Sequence, residues 1–321
     1  MIMKEIPLWE GREDVALFTM LRHCTPNPMI PVEPEALPAV VVCPGGAYMF
    51  CSMENEGDEV ALQFSAAGYQ VFILRYTVGT TCGEHNPNHP AQLLDLGKAM
   101  LTIREHAAEW HVDPERISLV GFSAGANLCG NMAVYWHTPL LSQHFGVPSE
   151  YFRPMAVMLG YPLTDYTLQM DYNATLPPNP LLMMGDETIF GTRRPNQAQR
   201  DALSPVYNVT ENTPPIFLFH AANDSLVPAM HSLKMAMALA EKGIPYELHM
   251  FQNGEHGFAT GIPNGVAPYR ADKYQSCHAW VDLACRWLLH YAAPETAEHD
   301  FCIAEAAKRD AENGTPPPFC L

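Results

Sequence analysis

Short, uninterrupted apolar runs recur along the chain, separated by longer segments whose apolar residues fall three or four positions apart. The runs Val40–Val42, Val71–Leu74, Ile117–Val120, Ala156–Leu159, Ile216–Phe219 and Tyr246–Met250 read as strands, most of them apolar throughout. A strand without polar alternation is buried on both faces. The segments between them predict helices over about 54–67, 91–110, 126–136, 229–242 and 273–291. Gly68 closes the first of these, because glycine takes the left-handed conformation that ends a helix. Such alternation predicts an α/β fold, a mainly parallel sheet with helices on both faces. Right-handed crossovers then gather the strand C-terminal ends, and a site, at one edge. No internal repeat is evident.

The interval from about 164 to 215 breaks this rhythm. It is rich in Pro, Asn, Met and Tyr, with Pro177-Pro178-Asn179-Pro180 near its middle. Its apolar residues Leu181, Met183, Met184, Ile189 and Phe190 need burial, which predicts a cap over the sheet edge rather than a surface excursion. The expected organisation is one domain over 1–294, the cap inserted at about 164–215, and a polar, loosely held tail over 295–321.

Composition narrows the partners. A chain of 321 residues with 48% hydrophobic and 17% charged residues can fill a sizeable core. With 18 basic against 35 acidic residues the net charge is −17, and no basic cluster exists to neutralise phosphates. Nucleic acid is excluded as a partner on this ground. Met1–Pro7 lacks a signal-length apolar core, and no stretch has the roughly 18–20 apolar residues of a membrane span. The nine cysteines are odd in number and scattered, which fits reduced thiols. A cytoplasmic protein without a membrane partner is expected, and a homo-oligomer is compatible with these numbers.

The candidate chemistry centres on Gly121-Phe122-Ser123-Ala124-Gly125. It follows an apolar run and precedes a helix, the strand–turn–helix setting of a nucleophile elbow. A serine hydroxyl needs a base within reach, and the base needs an orienting carboxylate. Asp224 follows the run ending at Phe219, and His256 follows the run ending at Met250. Alone, each reads as a turn aspartate and a solvated loop histidine. Together they give the order Ser, Asp, His, each after its own strand, and a triad is the better reading. Asn223 and Glu255 are weaker candidates, since each shifts the position by one residue. The N–H of Ala124 and those of Gly46 and Ala47, in the loop Pro44–Tyr48, are the expected oxyanion donors. A mere tight turn is the other reading of that loop. Tyr48, Phe122, Tyr161 and parts of the cap are expected at the acyl or alcohol pocket.

Other clusters carry less. Cys82-x-x-His85-x-x-x-His89 has too few ligands for a closed zinc site, and the Asn-Pro-Asn turn between its histidines is not helical. It reads as a loop at the rim of the site. Cys43, Cys51, Met235 and Met237 read as core residues. No glycine-rich phosphate loop is present. No metal and no cofactor are expected.

These motifs, with Asp224-x-x-Val227-Pro228 and His256-Gly257, resemble the esterase/lipase branch of the α/β-hydrolases. The likeness is nearest to acetyl-xylan-esterase-like proteins of the feruloyl- and acetyl-esterase (BD-FAE) type. It runs from about Leu8 to Leu289 and includes Tyr69–Tyr76 and His111–Ile117. The hormone-sensitive-lipase-like relatives carry His-Gly-Gly-Gly where this chain has Pro44 and Ala47, a departure that still leaves a backbone donor at Ala47. The resemblance implies an α/β-hydrolase fold and hydrolysis of short-acyl esters, often acetyl groups on sugars, with a small-molecule ester as substrate. A prolyl-oligopeptidase-like peptidase is one alternative, although those usually carry a large N-terminal propeller and the first predicted core strand here begins at Val40. A non-catalytic binding module is another, although such proteins typically lose a triad member.

Overall fold

Eight strands line up in the computed structural model, which describes residues 1–24, 35–262, 274 and 276–292. They are β1 (Ile2–Trp9), β2 (Arg12–Leu21), β3 (Leu37–Cys43), β4 (Gln70–Arg75), β5 (Val112–Phe122), β6 (Val157–Gly160), β7 (Ile216–Ala221) and β8 (Tyr246–Phe251). Their order in the sheet is β1-β2-β4-β3-β5-β6-β7-β8. β2 pairs antiparallel with both β1 and β4, and every other pairing is parallel. The mostly parallel sheet expected from the apolar runs is present.

The antiparallel pair at the N-terminal edge was not expected. β1 is largely exposed and carries Lys4 and Glu5, so it never forms an apolar run. β2 begins with Arg12, Glu13 and Asp14 and is buried only from Val15 onward. β1, the edge strand, escapes a search for buried strands because one side of its backbone and much of its surface meet water, whereas β2 is paired on both sides and its apolar stretch Val15–Phe18 went unread.

Along each central strand, alternate side chains enter different cores. Val41 and Cys43 of β3 join one cluster, and Val40 and Val42 join the other. The first core is covered by α2 (Ala91–Glu105), α3 (Ala124–Tyr135) and α8 (Met230–Glu241). The second is covered by α1 (Glu59–Ala66) and α9 (Ala279–Ala292), where Trp280 stacks on Phe219 with ring centroids 4.1 Å apart. α2 stops at Glu105, short of the expected residue 110, and His106 stacks on Trp110 in the turns that follow. The expected start of the last helix at residue 273, and the tail over 295–321, lie outside the described residues.

Within 164–215 the chain forms α5 (Tyr166–Asn173), α6 (Pro180–Phe190) and α7 (Gln197–Ala202), with a short α4 (Pro139–Phe145) earlier in the chain. Ile189 is buried, and Phe190 packs edge-on against Tyr166. Leu181, Met183 and Met184, expected to be buried, stand exposed on α6. The helix seats only one face on the body of the fold. That seat is close, because a Cβ on Gly185 would collide with the carbonyl oxygen of Ala47. Asn88 Nδ2 donates to Thr188 O at 2.8 Å and the His89 N–H to Ile189 O at 2.9 Å, so the loop before α2 tethers the end of α6.

Candidate active site

β5 ends against β6, and the chain turns sharply into α3 at Ser123. This serine has φ 52° and ψ −116°, and its N–H donates to Gly160 O at 3.0 Å. A non-glycine residue held there stores on the order of 1–3 kcal/mol. The flanking glycines make the turn sterically feasible. A Cβ on Gly121 would strike the carbonyl of Gly125, and one on Gly125 would strike the carbonyl of Cys43.

β7 and β8 bring the partners. His256 Nε2 lies 2.8 Å from Ser123 Oγ, and His256 Nδ1 lies 2.7 Å from Asp224 Oδ2. Asp224 Oδ1 accepts the N–H groups of Leu226 and Val227, both at 2.9 Å, which locks the carboxylate in place. Burial pushes this carboxyl up, but hydrogen bonds from His220 and His256 outweigh it and hold the group below the usual carboxylate range. Asp224 is therefore ionised wherever His256 would act as a base.

His220 is a residue that sequence reasoning missed. It is fully buried on β7, with Nε2 donating to Val227 O at 2.9 Å and lying 3.2 Å from Asp224 Oδ2. Its Nδ1 lies 2.8 Å from Ser232 Oγ on α8. A polar residue continuing the apolar run after Phe219 was the available signal. Asn223 and Glu255, the off-by-one candidates, have scaffolding roles instead. Asn223 Oδ1 accepts the N–H groups of Gly254 and Glu255 at 2.9 and 3.2 Å, holding the histidine loop. Glu255 accepts from Tyr274 Oη at 2.9 Å.

The loop after β3 faces the nucleophile. Gly46, Ala47 and Tyr48 have φ of 135°, 52° and 60°, the left-handed region that turns backbone rather than side chains toward a ligand. Gly46 is obligatory, since a Cβ there would meet the carbonyl of Phe50. Gly46, Ala47 and Ala124 wall the same cavity of about 210 Å³ as Ser123 and His256. Pro44 O accepts from Tyr76 Oη at 2.6 Å, and Tyr48 Oη donates to Asn127 Oδ1 at 2.7 Å.

A buried carboxylate, Glu56, ties this loop to the far side of the site. Its Oε2 accepts the Gly45 N–H at 2.7 Å, and its Oε1 accepts from Tyr161 Oη at 2.7 Å. The same tyrosine oxygen accepts the Ala259 N–H at 3.1 Å, and its ring packs edge-on to His256. Glu56 thus holds both the loop after β3 and, through Tyr161, the histidine loop. Glu56→Ala is expected to lower kcat about 10–100-fold with KM little changed, the loss of a charge-assisted hydrogen bond worth ~1.5–3 kcal/mol. Glu56→Gln, which keeps an acceptor for Gly45, should recover most of that rate. Equal steady-state constants for Glu56→Ala and the unaltered protein would remove this positioning role.

Of the three residues expected at the pocket, Tyr48 lines the cavity and the other two do not. Phe122 leaves β5 on the opposite face and packs with Phe219 and Trp280 in the second core. Tyr161 is wholly buried, its hydroxyl captured by Glu56. The cavity wall is completed by Leu163 and by residues of the 164–215 interval, among them Tyr166, Gln169 and Asp186. His85 and His89 are absent from it. Burial pulls His89 down to about 4, so its imidazole is neutral. Among the described residues no three His, Cys, Asp or Glu side chains come together as a metal site.

The BD-FAE family matches residues 29–239, and the Dienelactone hydrolase family matches residues 199–292. Endo-1,4-beta-xylanase B of Butyrivibrio fibrisolvens is 32% identical over 245 residues, covering 73% of this chain and 34% of that protein. Acetylxylan esterase of Xylanibacter ruminicola is 24% identical over 230 residues, covering 70% of this chain and 41% of that protein. The chain spans from about a third to just over half the length of the curated relatives it matches. Among solved structures, the acetyl ester-xyloside bifunctional hydrolase from Caldicellulosiruptor lactoaceticus is similar at 27% identity and a TM-score of 0.68, covering 88% of this chain and 94% of that one. Carboxylesterase Cest-2923 from Lactobacillus plantarum is similar at 25% identity and a TM-score of 0.73, covering 90% and 98%. With two thirds of its length matched by that family and its sheet and site geometry as described, the chain belongs to the BD-FAE family, in the esterase branch of the α/β-hydrolase superfamily.

Proposed function

We propose that the protein is a serine esterase that removes short acyl groups, acetyl above all, from hydroxylated compounds such as carbohydrates. The observation that carries this is the hydrogen-bonded line from Ser123 through His256 to Asp224, at 2.8 and 2.7 Å, opening on the cavity walled by Gly46, Ala47 and Ala124. His256 Nε2 takes the Ser123 proton as Oγ attacks the ester carbonyl. Asp224 holds the proton on Nδ1 and stabilises the imidazolium. Backbone N–H groups of Gly46, Ala47 and Ala124 receive the developing oxyanion, each worth on the order of 3 kcal/mol of barrier. His256 returns the proton to the leaving alcohol, and water deacylates the serine by the same route.

The acetyl and carbohydrate elements of this reading draw on the relatives, which include an acetylxylan esterase and an acetyl ester-xyloside hydrolase. The small cavity at Ser123 agrees with a short acyl group. A rate profile over nitrophenyl esters from acetyl to decanoyl, with acetylated xylo-oligosaccharides and a feruloyl ester alongside, tests it. The expected maximum of kcat/KM lies at acetyl, with turnover of the acetylated sugars. A maximum at long acyl chains, or cleavage of aminoacyl anilides without cleavage of nitrophenyl acetate, would sink it.

A further inference from the structure

Asp186 stands on α6 between two cavities. The catalytic cavity and a neighbouring one of about 730 Å³ share Leu182, Asp186 and Leu226 as a common wall. The second cavity lies against α5 and α6, and its size falls within the roughly 300–1,000 Å³ of ligand clefts. Several of its other polar groups are already engaged. Asn173 Oδ1 accepts from Gln169 Nε2 at 2.9 Å, and Asn179 Oδ1 accepts the Leu181 N–H at 3.1 Å. Tyr172 Oη donates to Ser225 O at 2.9 Å, and Arg193 pairs with Glu187 at 2.7 Å.

Asp186 differs from them. Among the described residues its carboxylate has no hydrogen-bond or ion-pair partner, and burial pushes it up to about 7. A half-buried carboxyl without a partner costs the fold stability, and a ligand that hydrogen-bonds to it offsets that cost. The catalytic machinery makes no use of it, since Glu56 and His256 are committed to the contacts described above.

We infer that the second cavity receives the alcohol part of the ester and that Asp186 reads hydroxyl groups on it across the shared wall. This rests on the esterase reading. An acetyl group shares the first cavity with the nucleophile, so the alcohol must continue out of it, and Leu182, Asp186 and Leu226 mark the passage. A neutral polyol suits the group better than a cation. A carboxyl titrating near neutrality accepts from a hydroxyl when ionised and donates to one when protonated, whereas an ammonium needs the ionised form.

Asp186→Asn preserves shape and tests the assignment in the full chain by two readouts. The ratio of kcat/KM on an acetylated xylo-oligosaccharide to that on nitrophenyl acetate is expected to fall about tenfold, mainly through KM. In Ser123→Ala protein, calorimetry with xylotriose is expected to show binding about tenfold weaker once Asp186→Asn is added. A ratio unchanged within about twofold, or equal xylotriose affinity in the two proteins, overturns the assignment. So does a larger loss on acetylcholine than on the acetylated sugar, which would mark a cation site. The calorimetry needs no turnover, so a protein inactive on every ester would end the esterase reading while the binding comparison still decides the subsite.

Discussion

Ser123→Ala is expected to lower kcat/KM on nitrophenyl acetate by about 10⁵–10⁶-fold, the loss seen when a triad nucleophile is removed. The remaining activity would come from the oxyanion donors and binding alone. Mass spectrometry of rapidly quenched protein should show an acetyl adduct in the unaltered enzyme and none in the variant. The fold should tolerate the change, because Ser123 Oγ contacts His256 and alanine fits the same turn. Ser123→Gly should do the same to activity and also raise the melting temperature, since φ 52° is easy for glycine and strained for any other residue. A loss smaller than about a hundredfold, in protein free of host esterases, would remove Ser123 from the mechanism.

The second large effect is expected at Asp224, where asparagine should cost about 10⁴-fold in kcat. Its geometry dictates the reason. Oδ1 accepts the Leu226 and Val227 N–H groups, so an amide at this position keeps its oxygen there and turns its NH₂ toward His256. A donor facing Nδ1 forces the imidazole proton onto Nε2, which then points a hydrogen at Ser123 Oγ and cannot accept one. The same NH₂ also confronts His220 Nε2, already a donor to Val227 O. His220→Gln, which disturbs only the outer contact, should cost far less than Asp224→Asn. Activity of Asp224→Asn within about tenfold of the unaltered enzyme would mean that another carboxylate orients His256.

The sheet and the three residues brought into hydrogen-bond reach were legible because each depends on local pattern. Apolar runs at β3 to β7 declare burial on both faces, Ser123 and Asp224 each follow such a run, and His256 follows the more polar, half-buried β8, in the required order. β1 left no comparable trace because it is exposed at the sheet edge and carries Lys4 and Glu5, whereas β2 opens on Arg12, Glu13 and Asp14 and its largely buried apolar stretch Val15–Phe18 was not read as a strand. Phe122 and Tyr161 were misplaced for a different reason. Adjacency to the nucleophile, or to a strand end, does not reveal on which side of the sheet a side chain leaves. Glu56 was invisible because its partners, Gly45 and Tyr161, lie 11 and 105 residues away in sequence. On α6, apolar character alone could not separate Ile189, which is buried, from Met183 and Met184, which are not.

The missing side chain at Gly185 makes the cap and the Ala47 peptide two halves of one fitted joint. Any residue with a Cβ there would lift α6, shift the donor at Ala47, or both. The helix α6 and the loop after β3, which wall the same cavity, therefore share a single tolerance. A cap grafted from a relative will work here only if it brings a glycine to that point, however well the rest of it suits the new ester.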